Sequence, residues 1–371
     1  MTRAVAFFLG VVLALLALLW PLASERRQPF LEDGDVVMSA VEGPGQCIVT
    51  YDDFIFYAVG PGDFPPIALR YGVCPAGSRL VARRNPPLPA WAVPRGRTNA
   101  LFVVVSFHEI PSRAGMIRLA QLAHRYEIPV TWMTGQPATF SVAGDLYDSY
   151  HRQFGDDLQT RPTNHNPSTV SQTQTHFAQL AAQRFAWFRP TVAIEGSGYD
   201  RGIASDISEG YRSFWGIAWN SHGLDNDYDE GTPWGAYCAD PASYRRPADG
   251  TCSLVGLEWT ARDLTRAAIS DHEEYYSTDP DDLQWAGFDR QTGAAYAREL
   301  VDAYAAAGET QPLVMIVQQE TDQMEHPPFW SDASTSSAIL DALYAQAKAD
   351  GMRTLTMSDA ARETKGFGGQ P

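Results

Sequence analysis

Ionisable and amide side chains follow several strand-like apolar runs in this chain, at the points where the runs end. An apolar strand does not need such residues to pack, and an ionised carboxylate there is costly unless it meets water, a metal ion or a hydrogen-bonding partner. Carboxylates and histidines are also common proton-transfer groups and metal ligands. The residues of this kind are His108, Glu109, Glu195, Asn220, His222, Glu258, Gln319 and Glu320.

His108 and Glu109 could supply a metal ligand beside a carboxylate base, and His165 could share the ion. A zinc-like divalent ion would lower the pKa of a bound water and polarise an acyl carbonyl. The alternative for His108 and Glu109 is a hydrogen-bonded pair at a strand end without a metal. We therefore expect either a divalent metal at His108 and His165 or no cofactor.

Glu195, Glu258 and Glu320 could instead provide the paired carboxylates of a glycosidase, one protonated as the acid and the other acting as base or nucleophile. The alternative is that cations such as Arg189 and Arg262 neutralise these carboxylates in structural ion pairs.

The tryptophans of the chain are expected mostly in the core, but two of them could bind a substrate. Sugar rings expose C–H faces that pack on aromatic rings, and Trp234 and Trp259 lie beside a turn and a strand end. Polar groups expected to bind substrate beside them are Asn220, His222, Glu258 and Gln319.

Apolar strand-like runs alternate with segments of helical spacing from residue 100 onward, which predicts a parallel sheet covered by helices. The number of runs predicts an α/β fold, a distorted (β/α) barrel of seven or eight strands. The carboxyl ends of barrel strands share one rim, so the polar residues are expected to converge there. The predicted strands are residues 100–107, 129–134, 157–160, 191–194, 213–219, 254–259, 313–318 and 353–357. The predicted helices are residues 116–126, 169–187, 293–307 and 338–350.

Residues 28–97 differ from the rest of the chain, because they are rich in proline and glycine and contain short β-like runs without helical spacing. This pattern predicts a small β-rich segment that ends in a proline-rich linker. The barrel is then expected to span residues 98–365.

Residues 4–20 form an uncharged apolar run that begins directly after Arg3. Such a run is typical of a signal peptide or a membrane anchor, and residues 1–24 are expected to be one of the two. A buried core helix is the alternative, but the run has no polar face. We therefore expect a secreted or membrane-anchored, extracytoplasmic protein, with residues 4–20 as the membrane tether in the second case.

The 4 cysteines fall into local pairs, Cys47 with Cys74 and Cys238 with Cys252. Neither pair has the CxxC spacing of a zinc or redox motif, and disulfides in both would suit an oxidising compartment. Buried free thiols are the alternative.

The formal net charge is -16 at pH 7. An acidic chain repels phosphate backbones and gains nothing from counterion release, so nucleic acid is not expected as a partner. A hydrophobic content of 44% allows a large core, which argues against a disordered chain.

The order of segments over residues 100–362 resembles the polysaccharide deacetylase superfamily, barrels that remove acyl groups from chitin-like or peptidoglycan-like sugars. In that resemblance each of several segments matches a part of the family's barrel. Residues 100–109 match its first strand and catalytic acidic pair, 128–135 its second strand, 154–165 its metal-histidine strand, 187–190 its arginine–proline motif and 353–363 its closing strand. Residues 226–238 and 254–267 are similar to segments of uncharacterised deacetylase-like barrels.

The chain departs from this family at the metal positions. Where the family has two adjacent aspartates, residues 106–109 read Ser-Phe-His-Glu, and where it has two histidines separated by three residues, Thr160 and Asn164 stand instead. His165 lies next to the second position. The resemblance therefore implies Arg189 as a site organiser and a barrel scaffold, but it does not supply the metal triad.

Together these patterns predict an extracytoplasmic carbohydrate-active hydrolase, deacetylase-like, that removes acyl groups from a glycan or cell-envelope polysaccharide. Glu109 or Glu195 would be the base, with Glu320 and Arg189 at the same rim. One alternative is a non-catalytic glycan-binding barrel that lost its metal site. The other is a metal-independent glycosidase that uses paired glutamates.

Overall fold

The chain divides into two compact units, Met1–Asn85 and Pro86–Pro371. A computed structural model describes parts of both units. The described residues are 36–40, 46–47, 54–59, 67–68, 72–73, 79–84, 91–92, 96–107, 111–161, 167–194, 206–208, 210–215, 236–257, 278–309, 312–329 and 331–367.

The described part of the first unit consists of β-structure, in line with its short β-like runs. Its strands are β1 (Val36–Ala40), β2 (Gln46–Cys47), β3 (Phe54–Val59), β4 (Ile67–Ala68), β5 (Gly72–Val73) and β6 (Arg79–Arg84). Four of them form an antiparallel sheet in the order β1-β6-β3-β4, and β2 pairs with β5. Cys74 lies outside the described residues, so its pairing with Cys47 stays a prediction.

The second unit alternates strands and helices. Its strands are β7 (Leu101–Phe107), β8 (Val130–Thr134), β9 (Asp157–Thr160), β10 (Val192–Ile194), β11 (Ser213–Trp215), β12 (Ala236–Asp240), β13 (Ser243–Pro247), β14 (Leu254–Leu257), β15 (Val314–Gln318) and β16 (Arg353–Leu355). Its helices are α1 (Arg113–His124), α2 (Thr139–Phe154), α3 (Pro167–Arg184), α4 (Pro280–Trp285), α5 (Arg290–Ala307), α6 (Ala333–Ala349) and α7 (Met357–Phe367).

These strands form a nearly closed parallel sheet in the order β14-β11-β10-β9-β8-β7-β15. Strand β16 lies parallel to the first half of β7, while β8 pairs with its second half. The hairpin of β12 and β13 adds antiparallel strands beside β14. Each predicted strand run contains one of these parallel strands, so the predicted α/β fold with a distorted barrel is confirmed.

Alternate residues of the strands fill the interior of the sheet. Leu101, Val103 and Val105 of β7 cluster with Ile316 of β15 and with Met357 of α7. This pattern follows from the period of two in a strand, which sends every second side chain to the same face. On the other face, the Phe102 ring packs edge-on against Tyr344 of α6, with ring centroids 6.1 Å apart. Both faces of the sheet are therefore covered.

Helix α2 is not among the predicted helices, although its end carries a clear signal. It stops at Gly155, which takes the left-handed conformation with φ 78° and donates its N–H to the His151 carbonyl. This is a common helix termination, because glycine adopts that conformation without a Cβ clash. Its interior contains aromatic residues, which weaken helix propensity, and packing of its buried face compensates.

The structure brings Cys238 and Cys252 together, with their Sγ atoms 2.00 Å apart, where β12 runs beside the start of β14. Among the described helices, none is long and apolar enough to cross a membrane. Residues 4–20 lie outside the described residues, so both readings of that run stay predictions.

A buried carboxylate fixes the amino-terminal end of the barrel. Asp156 accepts the N–H of Val130 at 3.0 Å and the indole N–H of Trp132 at 2.7 Å, and one of its oxygens lies 2.9 Å from Nε2 of His124. The ring of His124 also stacks on Phe154. These contacts join α1, α2 and β8 at the edge opposite to the expected functional rim.

The neighbouring Asp157 is a second carboxylate at this end. It accepts hydrogen bonds from Gln159 Nε2 at 3.0 Å, from the Ser358 hydroxyl and from the N–H of Leu158 at 2.9 Å. Burial raises the pKa of Asp157 to about 6, although the hydrogen bonds from Ser358 and Gln159 act in the opposite direction.

We expect the free energy of unfolding to fall as pH rises from about 4 to about 6 because of Asp157. The folded chain keeps this proton up to about pH 6, whereas an unfolded aspartate loses it near about pH 4. Stability from this group is thus present in acid and lost as pH rises, by an amount on the order of 2 kcal/mol. Urea unfolding at several pH values should show that Asp157→Asn lacks this component. The exposed Asp249→Asn is the matched control, and equal pH dependence in wild type and Asp157→Asn would contradict the assignment.

Candidate functional site

Most of the residues predicted to do chemistry lie outside the described residues, so their roles stay predictions. Several of them follow described strands directly or closely in the sequence, as His108 and Glu109 follow β7 and Glu195 follows β10. The complete set is His108, Glu109, His165, Glu195, Asn220, His222, Trp234, Glu258 and Trp259.

Arg189 is described, and it lies at the amino-terminal end of β10. Its exposed guanidinium donates to the carbonyls of Ala186 at 2.9 Å and Phe188 at 2.6 Å. Glu320, in contrast, follows the carboxyl end of β15. The structure therefore does not bring Arg189 to the rim where Glu320 lies, because its segment precedes a strand instead of following one.

The carboxyl end of β15 carries amides that bind two buried aspartates. Gln318 Nε2 donates to Asp279 Oδ2 at 3.1 Å, and Gln319 Nε2 donates to Asp281 Oδ2 at 3.2 Å. The N–H of Gln319 donates to the Val105 carbonyl at 3.1 Å, which holds this point against β7. We define Asp279, Asp281, Gln318 and Gln319 as the carboxyl–amide cluster.

Local structure at the start of α4 presents both aspartates to β15. Asp279 is the N-cap residue, and its Oδ1 accepts the N–H of Asp281 at 2.8 Å, while Pro280 occupies the first turn. These are favourable residues at a helix start. The Thr278 hydroxyl donates to the Ile316 carbonyl at 2.9 Å, so the chain before α4 is tied to β15.

Helix α6 also contacts the carboxyl–amide cluster. Gln284 Nε2 donates to the Ser336 hydroxyl at 2.9 Å, and that hydroxyl lies 3.4 Å from Asp281 Oδ1. Gln284 Oε1 accepts the N–H of Asp332 at 2.8 Å, and Asp332 caps α6. Three elements therefore set the position of Asp281.

The electrostatics of the cluster favour bound protons. Burial raises the pKa of Asp279 well above its ordinary value, and the charges of Asp282 and Asp281 raise it further. Burial also raises the pKa of Asp281, against hydrogen bonds from Gln319 and Ser336. A raised pKa favours the protonated carboxyl, which can donate its proton to a substrate, so these two residues can serve as an acid or a base.

The sequence predicts Gln319 and Glu320 at this rim, but it does not reveal Asp279 and Asp281. The available signal was the run Asp-Pro-Asp-Asp at residues 279–282, which marks a helix start. Its burial depends on residues almost forty positions away, and local sequence does not show it. Among the described residues, no group of three or more His, Cys, Asp or Glu could hold a metal ion. His108 and His165 lie outside the described residues, so the expected metal there stays a prediction.

The loop after β15 is clamped by the start of α1. The Ser112 N–H donates to the Thr321 hydroxyl at 3.0 Å, the Ser112 hydroxyl donates to Glu325, and Arg118 Nη1 donates to the Met324 carbonyl at 2.5 Å. Gly115 lies so close that an added Cβ would stand 1.5 Å from the Thr321 carbonyl oxygen. A side chain at this position would displace the loop.

We expect Gly115→Ala to destabilise the chain by about 1–3 kcal/mol, because the new methyl group overlaps backbone atoms of Thr321. The displaced loop would also move Gln319 and Glu320. The matched control is Gly366→Ala in α7, where an added Cβ meets nothing within 4 Å and helix propensity favours alanine. Thermal unfolding of both variants measures the effect, and equal stabilities for the two would contradict the close approach.

Comparison with known proteins gives likenesses at low identity. No family model and no curated protein matches this chain. Among solved structures, the chain is similar to a "probable polysaccharide deacetylase" from Pseudomonas aeruginosa, with 14% identity and a TM-score of 0.49, over 77% of this chain and 96% of that one. A "putative polysaccharide deacetylase" from Mycobacterium smegmatis is 11% identical with a TM-score of 0.46, over 75% and 96% of the two chains. A CE4 family pseudoenzyme from Bacillus anthracis is 6% identical with a TM-score of 0.35, over 70% and 65%.

Proposed function

We propose that this chain is an extracytoplasmic carbohydrate-active hydrolase that removes acyl groups from a glycan or cell-envelope polysaccharide. The observation that carries the proposal is the carboxyl–amide cluster at the carboxyl end of β15. Barrel enzymes place their chemistry at this end of their strands. The resemblance in segment order supplies the substrate class.

The carboxyl–amide cluster could supply the acid for such a hydrolysis. Cleavage of an ester or amide needs a base that activates water and an acid that protonates the leaving group. Asp281 carries a raised pKa and is held by Gln319 and Ser336, so it is the acid in this proposal. Glu109 or Glu195 is the base, since each follows a strand of the same sheet.

A divalent metal at His108 and His165 belongs to the same proposal. When bound, the ion would lower the pKa of water and polarise the acyl carbonyl. The tryptophans Trp234 and Trp259, with Asn220, His222 and Glu258, are the proposed substrate contacts.

A metal-independent glycosidase is the second candidate, and the buried aspartates favour it. Asp279 and Asp281 are neighbouring carboxyls of raised pKa, and the charge of Glu320 adds to the shift at Asp279. Glycosidases use two carboxyl groups in different protonation states. The two candidates differ in the bond that breaks, so they differ in their products.

We expect the purified chain to release acetate from acetylated glycans, with added divalent metals tested one at a time and a chelator as reference. Asp281→Asn should lower kcat/KM about a hundredfold or more, because the proton donor is lost. Glu109→Gln tests the base, and Asp249→Asn, at an exposed site, should match wild type. Acetate and new reducing ends are measured together.

Release of reducing ends without acetate would favour the glycosidase over the deacetylase. Neither product with any metal would contradict both, and it would leave the non-catalytic glycan-binding barrel. Wild-type activity in a folded Asp281→Asn variant would contradict the role of the cluster.

Export is proposed from the uncharged run at residues 4–20 and from the cysteine pairs, of which Cys238 and Cys252 lie in contact. Cell fractionation should find the chain outside the cytoplasm, either free or held by that run at a membrane. Alkylation without reduction should leave Cys238 and Cys252 unmodified. A reduced chain in the cytoplasmic fraction would contradict the proposal.

A further inference from the structure

The rim around the carboxyl–amide cluster is strongly acidic. Residues 278–289 and 318–332 contain neither lysine nor arginine. Their carboxylates are Asp279, Asp281, Asp282, Asp289, Glu320, Asp322, Glu325 and Asp332. We call the two segments together the acidic rim. Charge alone does not make a binding site, so the groups beside these carboxylates decide what the rim can bind.

The cluster offers buried acceptors that lack donors. Gln318 and Gln319 each use Nε2 to hold an aspartate, while Oε1 of each is buried and has no hydrogen-bond partner. Gln319 is 0% exposed and Gln318 is 8% exposed. A buried amide oxygen without a donor carries an energetic cost, because the water it bonded in the unfolded chain has not been replaced. A ligand that brings N–H or O–H donors would remove this cost.

Two neutral side chains reach the carboxyl of Asp281. Asp281 accepts from the Gln319 amide and lies within reach of the Ser336 hydroxyl. Two basic side chains lie at the edge of the rim, where Arg118 binds the Met324 carbonyl and His326 Nε2 lies 3.8 Å from Glu325. Burial raises the pKa of Asp281, and a bound cation would favour its charged form.

Aromatic rings stand exposed on the same two segments. Trp285 is 50% exposed at the end of α4, and Phe329 is 93% exposed in the loop before α6. Their segments are joined by the hydrogen bond between Gln284 Oε1 and the N–H of Asp332. Exposed aromatic faces attract C–H groups and cations. Among the described residues, the other exposed large hydrophobic side chain is Trp91.

We propose that the acidic rim binds an amino sugar of a glycan, with its ammonium group at the carboxyl–amide cluster and its ring on Trp285 or Phe329. An ammonium group has three N–H donors and a positive charge, which matches both the carboxylates and the amide oxygens. The C–H face of the sugar matches the aromatic rings. This inference rests on the proposed function in taking the ligand to be a glycan, and it narrows that glycan to one that carries free amino groups.

Other sugars fit the rim less well. An anionic glycan such as a polyuronate would be repelled by the carboxylates. An N-acetylated sugar presents one N–H and no charge, so it satisfies fewer of the acceptors. The acidic rim would therefore bind a glycan polymer from which part of the acyl groups has been removed.

The test is calorimetric titration of the full chain with three oligosaccharides of equal length. One is a glucosamine oligomer, the second its fully N-acetylated form and the third an oligogalacturonate. We expect the glucosamine oligomer to bind at least about tenfold tighter than the other two. Glu320→Gln and Trp285→Ala should each lower that affinity severalfold. Trp91→Ala and Asp249→Asn are the matched controls and should bind as wild type does.

Oligolysine controls for general attraction to a chain of net charge -16. Equal binding of oligolysine, together with unchanged affinity in Trp285→Ala, would overturn the inference. So would equal affinity for the glucosamine and N-acetylated oligomers. If acetate release occurs without any amino-sugar preference, only this inference fails. If the preference occurs without hydrolysis, only the proposed function fails.

Discussion

The hydrogen bonds from Gln318 to Asp279 and from Gln319 to Asp281 are the contacts on which the candidate site depends. A buried carboxyl costs several kcal/mol when it has no partner, and the two amides are among the groups that keep these aspartates hydrogen-bonded in the interior. The amides in turn are fixed by the pairing of β15 with β7. The sheet therefore sets the geometry of the acid groups, and α4 supplies them.

Two clamps keep this arrangement from relaxing. On one side, Gly115 lets α1 approach the loop at Thr321 more closely than any side chain would allow. On the other side, Gln284 and Ser336 join α4 to the start of α6. A catalytic or binding group needs rigid support, because a displacement of about 1 Å can remove most of its contribution to the reaction rate or to affinity. These contacts also fix the positions of the Oε1 atoms of Gln318 and Gln319, which have no hydrogen-bond partner.

The sequence predicts the scaffold better than the site, for physical reasons. Buried parallel strands are continuous apolar runs, so the strands were visible along the chain, and the residues after β15 followed from the end of a run. Asp279 and Asp281 could not be recognised, because their burial arises from contacts with Gln318 and Gln319 far along the chain. For Arg189 the prediction and the structure differ. The arginine–proline motif predicts this side chain at the carboxyl-end rim, but Arg189 lies before β10, at the amino-terminal end of that strand.

The titration of the Asp281 carboxyl, followed by carbon NMR with and without the glucosamine oligomer, is the most direct measurement of the central claim. We expect a pKa above the ordinary range of an aspartate in the free chain, because burial outweighs the hydrogen bonds from Gln319 and Ser336. We also expect that pKa to fall when the cationic sugar binds. An ordinary pKa that the oligomer leaves unchanged would contradict the account.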